Sequence, residues 1–458
     1  MNLNHINVIA RYEVKLVKRS WLFRIFAILA LLFISAIMLG YQTGIVNRMD
    51  NLWPRIAVSS LMPFCNTYFY NIAQSVIVVF LAGSFLKRDK KLDTAEVIYV
   101  RPMSNADYIV GKTWGIVKVF ITLNIITLLF TAFLNILINK SPFDLFPYLF
   151  YLLTISVPSL LFVLGLSFTA MCILKNQAVT FIVMLGIIGT VFFYLTDTLY
   201  GVFDFFGVNI PAIFSDVTGH ADLRLFLLQR FSYLLAGIGL ISMTIALVKR
   251  LPHKPWKIAV VYTFSSLFLL AACLGGLLYI LHYNHQLDLR HQYIMTFDKY
   301  ADVPHVDLLV NDISVTPQGY RLAGKSTVKV ANNNAKPLDK IIFYLNPELT
   351  VTSVEMAGKN LLFRRDHQVI VVDQPIQQQE ELTLTINYEG KISENICYTD
   401  VLKEDYLDTE VPQVFWRFGK RYAWLSNTFT LLTPECIWYP VTIAPVNPGA
   451  PYNVRKNF

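Results

Sequence analysis

Seven apolar stretches, each about as long as the roughly 20 residues that carry a helix across a bilayer's hydrocarbon core, constrain this chain more than any other feature. They are Trp21–Tyr41, Pro63–Leu86, Trp114–Ile138, Tyr148–Leu174, Ala178–Leu199, Phe231–Val248 and Ile258–Tyr283. A backbone in lipid must satisfy its own hydrogen bonds, so runs of this length read as α-helices packed side by side. The first run is longer than the apolar part of a secretory signal, lacks a clear small-x-small cleavage site and is followed by six more, which makes it a retained span. Only 15% of the 458 residues are charged, against roughly 25% in a soluble domain, and a single large soluble enzyme is disfavoured.

Charge divides the chain in two. Residues 1–285 carry 22 Lys and Arg against 11 Asp and Glu, whereas residues 286–458 carry 17 against 20. The basic excess sits in short segments between apolar runs, where it sets membrane orientation; it does not read as a nucleic-acid surface. With the N-terminus in the cytoplasm, Arg11, Lys15, Lys18 and Arg19 fall inside. So do Lys87, Arg88, Lys90, Lys91, Arg101, Lys175, Lys249, Arg250, Lys254 and Lys257. The outer loops keep only Arg48, Arg55, Lys140, Arg224 and Arg230, and an odd number of spans then places residues 285–458 outside. Before the first span, residues 6–20 mix Ile6, Val8, Ile9, Val14, Leu16 and Val17 with those cations, the pattern of a helix lying on the lipid surface. The alternative is a helical cytoplasmic tail.

Residues 87–113 hold a near-match to a phosphate-binding loop, in which Ala106, Gly111, Lys112 and Thr113 occupy the spacing G-x-x-x-x-G-K-[ST] with alanine first. Such a loop needs a buried strand before it and a soluble helix after it. Here the preceding residues 103–107 are polar and the following helix runs into an apolar span, so nucleotide binding on this chain is not expected. The same segment carries Asp89, Thr94, Glu96, Arg101, Pro102, Tyr108, Gly111 and Lys112 in the order R-D-x-x-x-x-T-x-E…R-P-x-x-x-x-x-Y…G-K, with a small apolar patch at Val97, Ile98, Tyr99 and Val100.

That pattern resembles the segment between the second and third spans of type-2 ABC transporter permeases. The resemblance implies a six-span permease domain over residues 21–257, working as a dimer with a second permease copy or homologue in a bacterial inner membrane. It also implies a coupling segment that docks on a separate ATP-binding subunit, so that ATP, the only cofactor implied, is bound by the partner. The plainer alternative is an ordinary orienting loop. Residues 1–20 then form the interfacial helix, and the seventh span with its exit linker, residues 258–284, tethers residues 285–458. Asn71 and Gln74 near one face of the second span, Asn124 in the third and Asp197 near the outer end of the fifth are candidates for a polar path. Asn and Gln in spans also serve as hydrogen-bonding glue between helices.

After Tyr283 the pattern changes to short alternating runs: Val306–Ser314, Tyr320–Val330, Ile341–Leu345, Leu349–Met356, Gln368–Val372 and Glu381–Tyr388, separated by turns. Their spacing predicts an antiparallel all-β sandwich over residues 285–458. Leu322 to Gly324, Val328 to Asn332, Ile341 to Pro347, Val354 to Leu361, Tyr388 to Gly390 and Thr433 to Val441 resemble the N-terminal β-domain of aminopeptidase N-like zinc peptidases. This joins the permease resemblance to that of a bacterial permease–aminopeptidase fusion, and the chain stops at Phe458, where that β-domain is expected to continue.

The catalytic signature of such a peptidase, H-E-x-x-H on a helix, begins at none of the eight histidines, so no catalytic or metal residue is expected on this chain. His282, His285 and His291 cluster without a cysteine or acidic partner and read as a polar linker. Trp416, Trp424, Trp438 and Tyr439 suit a sandwich core. Cys397 and Cys436 have an oxidising compartment if this part lies outside, and their pairing stays open. The competing reading is a membrane-anchored part of a zinc aminopeptidase whose catalytic domain is missing or on another chain. A module that hands peptide or lipid to a partner is a third.

Overall fold

The computed structural model describes residues 2–42, 60–89, 103–138, 143–196, 198–207, 210, 212, 214–215, 219–220, 222–248, 255–399, 422–427 and 429–443. A first compact unit is built on residues up to Leu281 and a second begins at His282. Among the described residues, seven helices are long and apolar enough to cross a membrane, and antiparallel sheets follow them.

The first unit opens with α1 (Leu3–Arg19), whose N-cap Asn2 accepts the Asn4 amide, and α2 (Trp21–Gln42). Then come α3 (Leu61–Asp89), α4 (Asn105–Ile138) and α5 (Phe146–Leu174). Next are α6 (Gln177–Thr190), which widens into a π-helical turn at Val191–Leu195, and α7 (Leu223–Leu247). The short strands β1 (Phe214–Ser215) and β2 (Gly219–His220) pair between α6 and α7. Helix α8 (Pro255–Tyr300) contributes its first half to this unit, where Ser265 donates to the Gly239 carbonyl at 2.8 Å and Tyr279 to that of Tyr200 at 2.9 Å.

Three boundaries differ from the sequence expectation, each for a local reason. Helix α4 starts at Asn105 and not Trp114, because Ser104 and Asp107 form a capping box. The Asp107 amide donates to Ser104 Oγ at 3.0 Å and the Ser104 amide to Asp107 Oδ2 at 3.1 Å. Helix α7 starts at Leu223, so Arg224 and Arg230, expected in an outer loop, are helical. Helix α8 continues past Tyr283 to Tyr300, because its last turns carry an apolar stripe that a sheet covers.

In the second unit one sheet has the order β3-β4-β10-β6-β7, from Asp307–Gln318, Arg321–Ala331, Glu381–Gly390, Leu349–Met356 and Lys359–Asn360. The other has the order β5-β9-β8, from Ile341–Tyr344, Val369–Val372 and Phe363–Asp366. All the pairings are antiparallel. Val328, Val330, Val354, Leu384 and Ile386 of the larger sheet share a core with Ile341, Phe343, Ile370 and Val372 of the smaller, which makes a sandwich. The alternate residues Ile342, Tyr344, Val369 and Val371 face a second core with Tyr293, Ile396, Cys397, Ala423 and Cys436. Strands β5 and β9 are therefore buried on both faces, which is why they read as unbroken apolar runs. The last strands, β11 (Ala423–Leu425) and β12 (Thr430–Leu432), form a two-stranded ribbon.

Candidate functional site

Helix α5 is where the apolar spans become chemically unusual. Pro158 has no N–H, so the carbonyl of Thr154 loses its regular helical donor. The backbone relaxes into a π-helical turn at Leu152–Ser156, flanked by ordinary helix at Phe146–Tyr151 and Val157–Leu174. The freed carbonyls are met by Arg230, 1% exposed on α7. Its Nε donates to Thr154 O at 3.1 Å, and its Nη2 to Ile155 O at 3.2 Å, Phe205 O at 3.1 Å and Ser159 Oγ at 2.7 Å. Its Nη1 donates to Asp204 O at 3.2 Å and Gln229 Oε1 at 3.3 Å. The buried Asp204 carboxylate adds a favourable charge, and its Oδ1 accepts the Gly207 amide at 3.0 Å. Gly207 has φ +70°, and a Cβ there would lie 2.8 Å from Arg230 Nη1, so glycine is required twice over.

Three of the four polar residues picked out within the spans meet at this turn. Asn71 Nδ2 donates to Ser159 Oγ at 2.9 Å and to the Phe206 carbonyl at 2.5 Å. Gln74 donates to Asn71 Oδ1, and at 3.4 Å to the carbonyl of Ser156. Asn124 Nδ2 donates to Ser156 Oγ at 2.7 Å, while its buried Oδ1 has no hydrogen-bond partner. A separate chain runs through Asn66, Thr127 and Thr131, with Asn66 Nδ2 donating to Thr131 Oγ1 at 2.7 Å. The cluster thus gathers amides, hydroxyls and one guanidinium from α3, α4, α5 and α7. It can hold a polar or anionic group or lock the helices together; it contains no nucleophile paired with a base. Arg230 was missed because it stands one residue before the apolar run that starts at Phe231; eight residues of helix before that run were the available signal.

The resemblance residues of the segment before α4 divide. Thr94, Glu96, Arg101 and Pro102 lie outside the described residues, as do the side chain of Asp89, Asp197 and Trp416. Tyr108, Gly111 and Lys112 stand in the first turns of α4, against α1. Cβ atoms on Gly111 and Gly115 would meet Ile9 Cβ at 2.8 Å and Glu13 Cβ at 2.7 Å, so the G-x-x-x-G spacing lets α1 approach closely. The buried pair Lys112 and Glu13 lies 3.6 Å apart across this seam, and Lys112 Nζ sits 5.0 Å from the Tyr108 ring centroid. At its start the Asn2 amide donates to Asp107 Oδ1 at 2.8 Å. Thr113 Oγ1 returns to Ile109 O at 2.9 Å within the helix, so the near-match to a phosphate loop is helix and not a Gly-rich turn. On the opposite side of α1, Arg11, Lys15, Lys18 and Arg19 are exposed.

In the second unit, His282, His285 and His291 lie on α8, and no group of three or more His, Cys, Asp or Glu able to hold a metal occurs among the described residues. Asp366 accepts Lys299 Nζ at 2.6 Å and the Tyr300 hydroxyl at 3.1 Å, and these bonds, the lysine's first, hold its carboxyl below the ordinary value. Burial pulls the Arg365 guanidinium down to about 10, while its Nη2 donates to the carbonyls of Leu345 at 2.8 Å and Asn346 at 2.7 Å.

No family model matches the sequence, and no curated protein matches it. Among solved structures, an M1 zinc metallopeptidase from Deinococcus radiodurans is similar at 22% identity and TM-score 0.18, over 19% of this chain and 21% of that one. A mutant form of a two-domain M1 zinc metallopeptidase bound to L-arginine is similar at 20% identity and TM-score 0.23, over 31% of this chain and 30% of that one. The chain spans less than a third of the length of these structures, a weak and partial likeness that carries no argument about activity.

Proposed function

We propose that this chain is the permease subunit of an ATP-driven transporter in a bacterial inner membrane, bearing an extracytoplasmic β-sandwich. A separate ATP-binding subunit supplies the energy, and a second permease copy completes the path. The observation that carries the reading is the cluster of Arg230, Asn71, Gln74 and Asn124 inside helices otherwise apolar enough to cross lipid. An ionisable side chain at such a position is costly and is retained where polar cargo or a moving helix contact needs it. The π-helical turn beside it supplies a place where α5 can change its hydrogen bonding without breaking. The loop pattern ending at Tyr108, Gly111 and Lys112 supports the same reading through its resemblance to a coupling segment, with Glu96, Arg101 and Pro102 toward the ATPase.

The test is pull-down of an ATP-binding subunit with the tagged chain, followed by ATP hydrolysis and transport in proteoliposomes. Glu96→Lys reverses a charge within the proposed coupling segment. It is expected to uncouple hydrolysis from transport with little loss of folded protein. Unchanged partner binding and transport in that variant would leave an ordinary orienting loop. Zinc-dependent peptide cleavage by the purified chain, surviving contaminant controls, would favour the anchored-peptidase reading.

A further inference from the structure

Two buried thiols in the second unit have no part in the function proposed above. Cys397 follows the 3-10 turn Glu394–Ile396, and Cys436 closes the 3-10 turn Pro434–Cys436. Both are 0% exposed, they are 39 positions apart in sequence, and their sulfurs lie 3.4 Å apart. A buried cysteine is ordinarily a small apolar filler, which accounts for either thiol alone but not for their facing one another.

The turns that present these sulfurs are held by other means. Arg290 Nη1 donates to the carbonyl of Cys397 at 2.6 Å and of Asn395 at 3.1 Å, and Nη2 to that of Tyr398 at 2.8 Å. Asn346 Nδ2 donates to the carbonyls of Cys436 at 2.8 Å and Ser393 at 2.9 Å, while its Oδ1 accepts the Ser393 amide at 3.0 Å. One asparagine thus clamps both turns to the end of β5. Glu394 Oε1 accepts the amides of Tyr422 and Ala423, each at 2.9 Å, and ties the first turn to β11. The hydrogen bond to Cys436, with burial, pushes the Cys397 thiol well above its ordinary value. A reduced pair at this site is therefore sheltered from reagents in water.

We propose that Cys397 and Cys436 form a structural disulfide that fastens the two turns over the outer face of β5 and β9. Bringing the sulfurs to the roughly 2.05 Å of an S–S bond takes a closure of a little over an ångström, within the reach of side-chain rotation. Each thiol loses its proton. One thiolate attacks a disulfide-bearing oxidant to give a mixed disulfide, and the second displaces it, so the oxidant leaves as a dithiol carrying both electrons and both protons. The supply of that oxidant rests on the extracytoplasmic placement under Proposed function; the pairing itself rests on the geometry alone.

The experiment quenches intact cells in acid, alkylates free thiols in denaturant so that buried ones react, and then maps peptides of the full-length chain without reduction. A second sample is purified under reducing conditions, unfolded and refolded with oxidised glutathione. Linked 397 and 436 peptides in both samples support the pairing and the placement. A link only after glutathione supports the pairing and overturns the placement. A link in neither overturns the pairing. Cys397→Ser and Cys436→Ser are each expected to lower the β-unit's melting midpoint by about 5 °C in the oxidised protein, and the double variant to match the worse single one. Because the clamps of Arg290 and Asn346 remain, these variants are expected to fold.

Discussion

Arg230 presents six hydrogen-bond acceptors with one planar fork, and the planarity matters as much as the charge. Removing it affects those acceptors unequally: Ser159 Oγ can turn its one proton to the carbonyl of Ile155 or of Phe205, and Gln229 Nε2 serves that of Asp204. Arg230→Leu is expected to cost about 3–5 kcal/mol, because it leaves the Thr154 carbonyl without its donor and the buried Asp204 carboxylate without its counter-charge. Arg230→Lys keeps that charge but offers one ammonium in place of the fork, and is expected to cost about 1–3 kcal/mol. Thermal unfolding in detergent should rank wild type above the lysine variant and the lysine variant above leucine; the opposite order would mean that the fork's hydrogen bonds, and not its charge, hold the site. At Asp366 the sign is set by a lowered carboxyl. Its folded value lies below its unfolded one, so its contribution is complete above roughly pH 4 and is lost as pH falls through the folded value. The stability gap between wild type and Asp366→Asn, measured by denaturation from pH 7 downward, should be small but present at neutrality and vanish in acid.

At the scale of elements, the seam between α1 and α4 depends on two missing side chains. Gly115→Val would place a Cβ 2.7 Å from that of Glu13 and 2.9 Å from the Ala10 carbonyl, with no flexible atom to yield. The variant is expected to release α1 and speed tryptic cleavage at Arg11 and Lys15, while α4, capped by Ser104 and Asp107, remains helical. Unaltered cleavage would show that α1 is held elsewhere. Six strands of the sandwich were legible as short runs between turns: β3, β4, β6 and β10, and with them β5 and β9, whose runs are unbroken and apolar. The end of α8 was not, because mean hydropathy falls wherever a helix has only one apolar face. Beyond His282 a helix needs only the stripe Leu289, Tyr293, Phe297 and Tyr300 to cover the second core.

For the molecule as a whole, the testable statement is its orientation. The excess of Lys and Arg in alternate connecting segments predicts an N-terminus in the cytoplasm and a β-unit on the far side. A membrane-impermeant thiol reagent applied to intact cells should modify Lys359→Cys, at the exposed start of β7, and spare Lys90→Cys. The reverse pattern would overturn both the orientation and the ATPase contact that depends on it.

The sequence by itself determined the seven apolar runs, the change to a β-sandwich after the seventh of them and the want of H-E-x-x-H, because each follows from a local sum or a fixed spacing. It also brought Asn71, Gln74 and Asn124 into view, since amides stand out in apolar runs. Only the tertiary structure decided what those amides do and that Arg230 joins them. Arg230 meets Ser159 from 71 positions away and Asn71 meets it from 88, and hydropathy along the chain contains no term for partners that distant. The same limit hid the partners of Lys112 and Gly111. Whether a charge or a glycine lies in water, in lipid or in a seam depends on the helix that comes to rest against it.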